Sequence, residues 1–594
     1  MIGIINIKNR KYTLADIIES SNSNSNNIIT IENFNNIGKC FNGDMVELSD
    51  DLKSIKKVIK SNINNKVISG ILVIKSKYKY GYNKRGIEIF QFKPFDKYYP
   101  IFYVASKVKK KLLKNKEIII NQYCTIKFLN WKNKSPKGEI VQMVGPINDT
   151  NNKYNILLHK YDLYKSKPKF KLDKNFDNDL FIELCKDKYD DLTNSGLEFY
   201  SIDPFGCKDI DDVLSHDIKN NRIGIHISDV STYIRYFELD NIISDRHTSI
   251  YLPNRQINMI PDILATDICS LHPGKRKLVF TIWLYYKNNE IIETKIEKNI
   301  IESTKAYTYD EADLTFKTKQ IFKLSKEFGK KYLNYINKKW TTHEMVEVFM
   351  ILANHYVAKF LIFNQDKLKG NIPIMRIHKE KLKKIEYKNI DNKMQKMVNI
   401  LNSNKAEYIT SDLVEDNKYY HFGLDMYYYT HFTSPIRREV DIHVHNLLNM
   451  IINNENFIHY KPNCDHINNV NSKIKKLERE INKIKILEHL EYCEDNTFEA
   501  YIFDIRESKD KSIHMVLYFP SFKILYDVEI INNQLLNMLD IKLDEKSILI
   551  KNKLTLNKLE YKRFSLIELK LYKLLDQEII NLGIFINDID LILK

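Results

Sequence analysis

The spacing of hydrophobic positions changes twice along the chain. Up to about residue 190, apolar residues come in short alternating runs, such as VISGILVI from Val67 to Ile74 and IEIFQFKPF from Ile87 to Phe95, broken by Gly, Asn and Lys clusters. Alternation over a few residues, bounded by turn formers, predicts half-buried strands. Two blocks of this kind, residues 1–64 and 65–165, suit small OB-type barrels, a fold that often binds single-stranded nucleic acid. From about residue 195 the pattern becomes mixed. Strand-like runs at Ile223–Ile227 and Leu278–Leu284 precede a helical stretch from Glu344 to Ile362, with Met345, Val348, Phe349, Leu352 and Tyr356 at core-facing spacing. A second long helix, about 466–490, is expected to pack back on this central region. Residues 494–594 return to alternation (FEAYIFDI, HMVLYFP, FKILYDVEI) and predict another small barrel. Residues 380–420 read as a helical, lysine-rich insertion. No solenoid period is visible; what recurs is a type of domain.

The expected architecture is therefore multidomain α+β. A first barrel spans 1–64, a second barrel with its linker 65–190, a mixed α/β domain 191–492 and a C-terminal barrel 493–594. At 594 residues the chain is too long for one core. The formal charge of +16, from 92 Lys+Arg against 76 Asp+Glu, favours a polyanionic partner. Charge alone does not decide this, because Lys, Asn and Ile are abundant throughout. The segment Lys77–Arg85 (KYKYGYNKR) interleaves cations with rings, which suits either base stacking or an ordinary edge strand. The run from Lys107 to Lys116 reads as an exposed face. Seven dispersed cysteines form no C-x-x-C pair, and their odd number argues against a disulfide framework, so a reducing, intracellular and cytoplasmic setting is expected. No secretory signal is apparent in the first twenty residues, and no run reaches the ~20 apolar residues of a membrane helix; a soluble protein without a membrane partner is expected.

The chemistry concentrates in Asp203-Pro-Phe-Gly-Cys-Lys-Asp209-Ile-Asp211-Asp212. Four carboxylates this close repel one another unless a cation lies among them, and hard oxygen donors select Mg²⁺, Mn²⁺ or Ca²⁺ over zinc. An EF-hand loop counted from Asp209 needs glycine at 214 and glutamate at 220, where Leu214 and Asn220 stand. An acidic surface turn is disfavoured by the apolar strands on either side, and a strand end in an α/β domain is where ligands bind. The second constellation runs from Tyr429 to Asp441 and contains Thr433-Ser-Pro-Ile-Arg437-Arg438. Thr433 or Ser434 is expected to cap a helix with Pro435 in its first turn, which would place Arg437 at a helix N-terminus suited to phosphate. Arg437 and Arg438 could instead pair with neighbouring acids. An acid cluster together with an arginine is what phosphoryl transfer needs.

These segments resemble the RNB catalytic domain of RNase II, RNase R and the eukaryotic exosome's catalytic subunit. The resemblance is carried by Ser201–Ser215, Gly224–Ser231, Thr248–Pro253, Met259–Pro261, Ile268–Leu271, His421–Leu424 and Tyr429–Asp441, together spanning about 195–450. The flanks are similar to two cold-shock-type barrels before that domain and one OB-fold barrel after it. Phe128-Leu-Asn-Trp131 with Lys137-Gly-Glu139 resembles the eukaryotic branch.

The resemblance implies a hydrolytic 3′→5′ exoribonuclease that degrades single-stranded RNA to nucleoside 5′-monophosphates with Mg²⁺, or Mn²⁺ in its place. It implies that Asp203 and Asp212 bind metal directly, and that Asp209 and Asp211 hold a second metal or its water. Asp211 and Arg437, with Asp209, would be catalytic; Tyr251 would stack on the terminal base; Arg376 and Glu347 would contact RNA. Three positions depart from the pattern: Thr232 for a histidine, Glu439 for an aromatic, and Val348 for the second acid of a Glu-Glu pair, which weakens the case for Glu347. His226 and Asp229 are expected to organise strand and loop. The chain is expected to act as a monomer. It is expected to begin inside the first barrel and to lack the nuclease domain that tethers the exosome subunit, so exosome association is not inferred.

Overall fold

The computed structural model describes the chain except residues 20–27, 65, 166–169, 336–338, 379–404, 415–418, 456–462, 491–495, 508–511, 523, 532–538, 545–546, 554, 556, 574–581 and 586–594. Most of the predicted insertion at 380–420 lies outside the described residues. Two compact units are present, residues 1–164 with 473–594, and residues 165–472.

In the first unit the alternating runs form strands as expected, but among the described residues only the second block closes into a barrel. Residues 2–60 form a five-stranded antiparallel sheet in the order Ile28–Glu32, Leu14–Glu19, Ile2–Ile7, Met45–Leu48, Ile55–Lys60. Strands between Val67 and Pro146 form a closed barrel, sealed by Gln122–Asn130 against Lys137–Pro146. Helix Thr150–Lys160 packs on its outer surface, with Ile156 against Ile71, Val73 and Tyr123. Of the basic-aromatic segment, Tyr78 and Tyr82 are exposed while Tyr80 packs on Tyr103 at 5.4 Å. The lysine run forms helix Val108–Lys114, which buries only Leu112. The C-terminal strands make a five-stranded and a three-stranded sheet around one core that includes Ile502, Met515, Ile550 and Leu569.

The second unit is built on a seven-stranded sheet. Its order is Asp190–Asp191, Glu290–Glu302, Arg276–Lys287, Arg222–Ser228, Asp212–Asp217, Tyr200–Asp203, Lys305–Thr308, with parallel pairing only at the two edges. Ile223, Ile225 and Ile227 face a large core shared with helix Thr342–Phe363, whose Met345, Val348, Phe349 and Leu352 are buried as their spacing requires. This 22-residue helix, of mean hydropathy 1.5, is long and apolar enough to cross a membrane by length and composition, which corrects the expectation that no segment is. It is a core helix, with 56% of that apolar window buried. The long helix Cys464–Leu490 does not pack on the central region alone. Ile467 joins Ile374 and Val440, whereas Ile486, Leu487 and Leu490 enter the C-terminal core.

His226 and Asp229 organise this scaffold. The His226 ring bridges Ser215 Oγ at 2.8 Å and Thr281 Oγ1 at 2.9 Å. A Cβ at Gly224 would come within 2.5 Å of both His226 Nε2 and Ser215 Oγ, so glycine is what lets the bridge form. Asp229 caps helix Val230–Tyr236 through Thr232 N–H and accepts from Tyr189 Oη at 2.6 Å. Burial alone would raise its carboxyl, but buried Lys298 at 3.1 Å, together with His445, Arg235 and the Ser231 hydroxyl, holds it below the usual carboxylate range.

Candidate active site

Strand Tyr200–Asp203 delivers Asp203 at its end, and Asp212 opens the antiparallel strand Asp212–Asp217. The reversal between them needs Gly206 at φ +80°, in the left-handed region that favours glycine. The loop is pinned from below. Ile210 and Val213 are buried with Phe199, Leu271 and Val279, and Ile210 N–H donates to Ser270 Oγ at 2.9 Å. Apolar anchors inside the motif thus turn the acids to one side, where all four line a cavity of about 460 Å³.

Each acid is held differently. Asp211 Oδ1 accepts the backbone N–H of Ile436 at 2.9 Å, and its Oδ2 lies 3.5 Å from Arg437 Nε. Burial pushes the Asp211 carboxyl up to about 8, against the opposing pull of the Arg437 guanidinium. Asp209 Oδ2 accepts from Tyr251 Oη at 2.6 Å and Gln256 Nε2 at 2.7 Å. Asp203 Oδ2 is buried without a hydrogen-bond partner among the described residues. Burial raises the carboxyls of both Asp203 and Asp212, and the neighbouring aspartate charges raise them further. Among the described residues no three His, Cys, Asp or Glu side chains converge as a ready-made metal-ligand set. Asp209 and Asp211 are engaged by protein donors, which leaves Asp203 and Asp212 as the acids most in need of a counter-charge. An orphaned carboxylate oxygen beside mutually repelling carboxylates fits a hard divalent cation.

Arg437 arrives by a different route from the one its sequence suggested. The helix starts at Glu439, with Arg438 as its N-cap residue, so Pro435 lies in a preceding turn and neither Thr433 nor Ser434 caps it. Buried Asp441 explains the difference. Its Oδ1 accepts Ser434 N–H at 2.8 Å and Arg438 Nη2 at 2.8 Å, folding the turn back over the helix start. Arg438 is therefore a paired structural residue. Arg437, with its side chain 42% exposed, reaches Ser434 Oγ and Asp211 and lines the cavity. Buried Phe432 and Ile436 anchor the turn, and Phe432 N–H donates to Asn354 Oδ1 at 2.7 Å.

Tyr251 stands at the cavity with 49% of its surface exposed, on the hairpin that pairs it with Gln256. Arg376 and Glu347 are not among the lining residues. Arg376 stacks on Tyr408 at 4.4 Å, whose hydroxyl contacts His431 of the cavity wall, so it stands behind the site. Glu347 is exposed and accepts from Tyr335 Oη at 3.0 Å. Its helix presents Val346, Met350 and Asn354 to the cavity, and one residue is about 100° of helical turn, which carries Glu347 off that face. Gln256, Asn354 and Tyr309 were not singled out from sequence, and Tyr429 and His431 fell inside the Tyr429–Asp441 motif without a role of their own. Of the first three, Asn354 had a signal there, as an amide on an otherwise apolar helix face.

A family model described as the RNB domain matches residues 189–334 and 322–454, and one described as Dis3-like cold-shock domain 2 matches residues 89–162. The human exosome complex exonuclease RRP44 is 31% identical over 321 residues, which cover 42% of this chain and 33% of that protein. Ribonuclease R of Buchnera aphidicola is 28% identical over 449 residues, 61% of this chain and 58% of that protein. The chain thus matches less than two thirds of either relative's length. Among solved structures, Mycoplasma genitalium RNase R in complex with ribose-methylated single-stranded RNA superposes with a TM-score of 0.72 at 18% identity, covering 99% of this chain and all of that one. Yeast Ssd1, a pseudonuclease, superposes at 0.66 and 14% identity, covering 99% and 96%. At such identities these likenesses speak for the fold alone. Across the sheet, the acid loop and the arginine turn, residues 189–454 of the chain thus carry an RNB domain.

Proposed function

We propose that this chain is a hydrolytic 3′→5′ exoribonuclease that shortens single-stranded RNA to nucleoside 5′-monophosphates, with Mg²⁺, or Mn²⁺ in its place, as cofactor. The observation that carries the reading is that Asp203, Asp209, Asp211, Asp212 and Arg437 line one cavity. The likeness to a pseudonuclease shows that the fold does not require catalysis, so the weight falls on these side chains. Asp203 and Asp212 would hold the metal directly, with Asp209 and Asp211 completing its surroundings. A hard divalent cation supplies Lewis-acid polarisation and a bound water of lowered pKa. Arg437 offsets charge developing on the phosphate oxygens, from a side chain already aimed by Ser434 and Asp211. Tyr251 offers a ring on which the terminal base stacks. Water oxygen bonds to phosphorus, the bond to the preceding 3′ oxygen breaks, and that oxygen leaves as the new 3′ hydroxyl. RNA is preferred over DNA through contacts to 2′-hydroxyls. We further propose that the protein is intracellular and cytoplasmic, consistent with its dispersed free cysteines, and acts as a monomer.

The test is digestion of 5′-labelled single-stranded RNA, and of DNA of the same sequence, with Mg²⁺ and then with EDTA. Stepwise shortening of RNA from the 3′ end, abolished by EDTA and by Asp211→Asn while RNA binding persists, is expected. Internal cuts, unchanged activity in Asp211→Asn, or RNA binding with no shortening would each overturn the proposal; the last would make the chain a non-catalytic RNA binder.

A further inference from the structure

Two residues that do not line the cavity join the segments that present Tyr251 and Arg437 to it. Helix Asp240–Arg246 ends at His247, whose backbone takes φ +59°, in the left-handed region that favours glycine and strains a residue with a Cβ. His247 is 8% exposed, and its Nδ1 is hydrogen-bonded to Oε2 of Glu439, which is 3% exposed and 192 positions away. The His466 ring packs edge-on against that of His247, with centroids 4.6 Å apart. Burying an imidazole–carboxylate pair takes polar groups out of water, and apolar side chains of similar volume often hold two segments together at least as firmly. Fold stability therefore does not explain why a strained backbone and a buried acid meet here. Such strain persists where the surrounding geometry over-determines it, and it gathers at functional sites.

What the pair fastens is the backbone of Arg437. Glu439 N–H donates to the His247 carbonyl at 2.9 Å, and Thr248 and Arg438 form an antiparallel bridge. The Arg437 carbonyl accepts from both Ser249 N–H at 3.0 Å and Thr248 Oγ1 at 2.8 Å. Residues 247–249 thus lie along 437–439 and run directly into strand Ile250–Leu252, which carries Tyr251. Ser249 is tied in turn by Met259 N–H, which donates to its Oγ at 2.9 Å. The Arg437 side chain is 42% exposed, so packing does little to orient it, and its reach to Asp211 depends on where its backbone stands. A displacement of ~1 Å in a catalytic group can cost about 10²-fold in rate. We infer that His247 and Glu439 are positioning residues, a buried clamp that sets the Arg437 backbone against the strand of Tyr251 and so aims the guanidinium at the scissile phosphate. This role rests on the exoribonuclease reading above and adds to it the device that holds its arginine. It also gives a purpose to Glu439, one of the three departures from the resembled sequence pattern.

The test is the kinetics of single-stranded RNA cleavage in Mg²⁺ by the full chain, by Glu439→Gln, His247→Asn and Arg437→Ala, and by each clamp variant combined with Arg437→Ala. Glutamine keeps the size of Glu439, and asparagine tolerates the left-handed backbone at 247 but is too short to reach across, so the pair is broken gently from either side. Thermal unfolding reports which variants fold, and one folded clamp variant is enough to decide. Each clamp variant should lower kcat about tenfold with KM within about twofold. In the Arg437→Ala background the same change should cost less than about twofold, because the side chain that the pair aims is gone. An equal loss in both backgrounds marks the pair as merely structural and overturns the role, as does loss of folding in both clamp variants. Wild-type kcat in the clamp variants, or a defect confined to KM, overturns it too. A wild-type chain that leaves RNA intact overturns the exoribonuclease reading itself, whereas a cleaving wild type with additive variants overturns the clamp alone.

Discussion

Tyr251 combines two parts that a single atom separates. Its hydroxyl donates to Asp209 Oδ2 at 2.6 Å, beside Gln256 Nε2 at 2.7 Å, while its ring is 49% exposed at the cavity. Tyr251→Phe removes one of the two donors and keeps the ring. A hydrogen bond to a charged acceptor contributes ~1.5–3 kcal/mol, and because Gln256 still donates, the lower end applies. About 1.4 kcal/mol corresponds to a tenfold rate change, so cleavage should slow roughly tenfold. RNA affinity should stay within about twofold, since stacking needs only the ring. Tyr251→Ala removes both parts. Loss of a base stack, ~1–3 kcal/mol, should then weaken RNA binding roughly 5- to 150-fold on top of the rate defect. The assay pairs filter binding in EDTA with single-turnover cleavage of 5′-labelled RNA in Mg²⁺. A Phe variant that loses as much affinity as the Ala variant refutes the stacking role, and one that cleaves at the wild-type rate refutes the hydroxyl's.

Arg437→Lys keeps the charge but loses the fork aimed by Ser434 and Asp211; kcat should fall about 10²–10³-fold with KM little changed, and an equal loss in KM alone would count against transition-state stabilisation. Mg²⁺ at about 100 times its Kd should stabilise the fold by ~2.7 kcal/mol in thermal unfolding, and Asp203→Asn should blunt that shift; an equal shift in the variant would place the ion elsewhere. Lys298→Met leaves Asp229 buried without its cation and should cost ~3–5 kcal/mol in urea unfolding, against which a wild-type midpoint would count. The Asp229 carboxyl is held below its unfolded value, so its stabilisation is complete above about pH 4 and declines as pH falls towards the folded value. That acid-side slope should be shallower in Lys298→Met, and a slope equal to wild type would assign the acid loss to other carboxylates.

Much of the fold was readable because local pattern and tertiary role agree. The alternation in VISGILVI is the strand Val67–Val73, with Ile68 and Leu72 in the barrel core and Ile71 and Val73 on the face covered by a helix. The helical spacing from Met345 onward is the buried face of Thr342–Phe363. The acids were readable for a related reason. Asp203 and Asp212 lie nine residues apart in sequence and at facing strand ends, so a hairpin alone brings them together. The turn at Arg437 misled because Ser-Pro is a sound local start signal for a helix. A long-range competitor, the Asp441 carboxylate, captured both Ser434 N–H and Arg438 and moved the start to Glu439.

What holds the acids in place had no local signature at all. Asp211 is oriented by a backbone N–H 225 positions away, and Asp209 by donors 42 and 47 positions away. A backbone N–H carries no residue identity, so no composition or spacing rule could have pointed to Ile436. Gln256 is legible only once the hairpin register sets it opposite Tyr251. The helix Thr342–Phe363 shows the distinction most sharply. Glu347 carries the charge that draws attention, but the helical turn directs it to Tyr335 and away from the cavity. Asn354 carries none, and yet it is 3% exposed, with its amide joining Phe432 N–H to the Tyr429 hydroxyl. A buried amide on an apolar face must find partners or cost free energy, and here those partners belong to the segment that presents Arg437. Along this helix the better guide to the site was therefore the polar group that burial forbids, rather than the charged group that solvent allows.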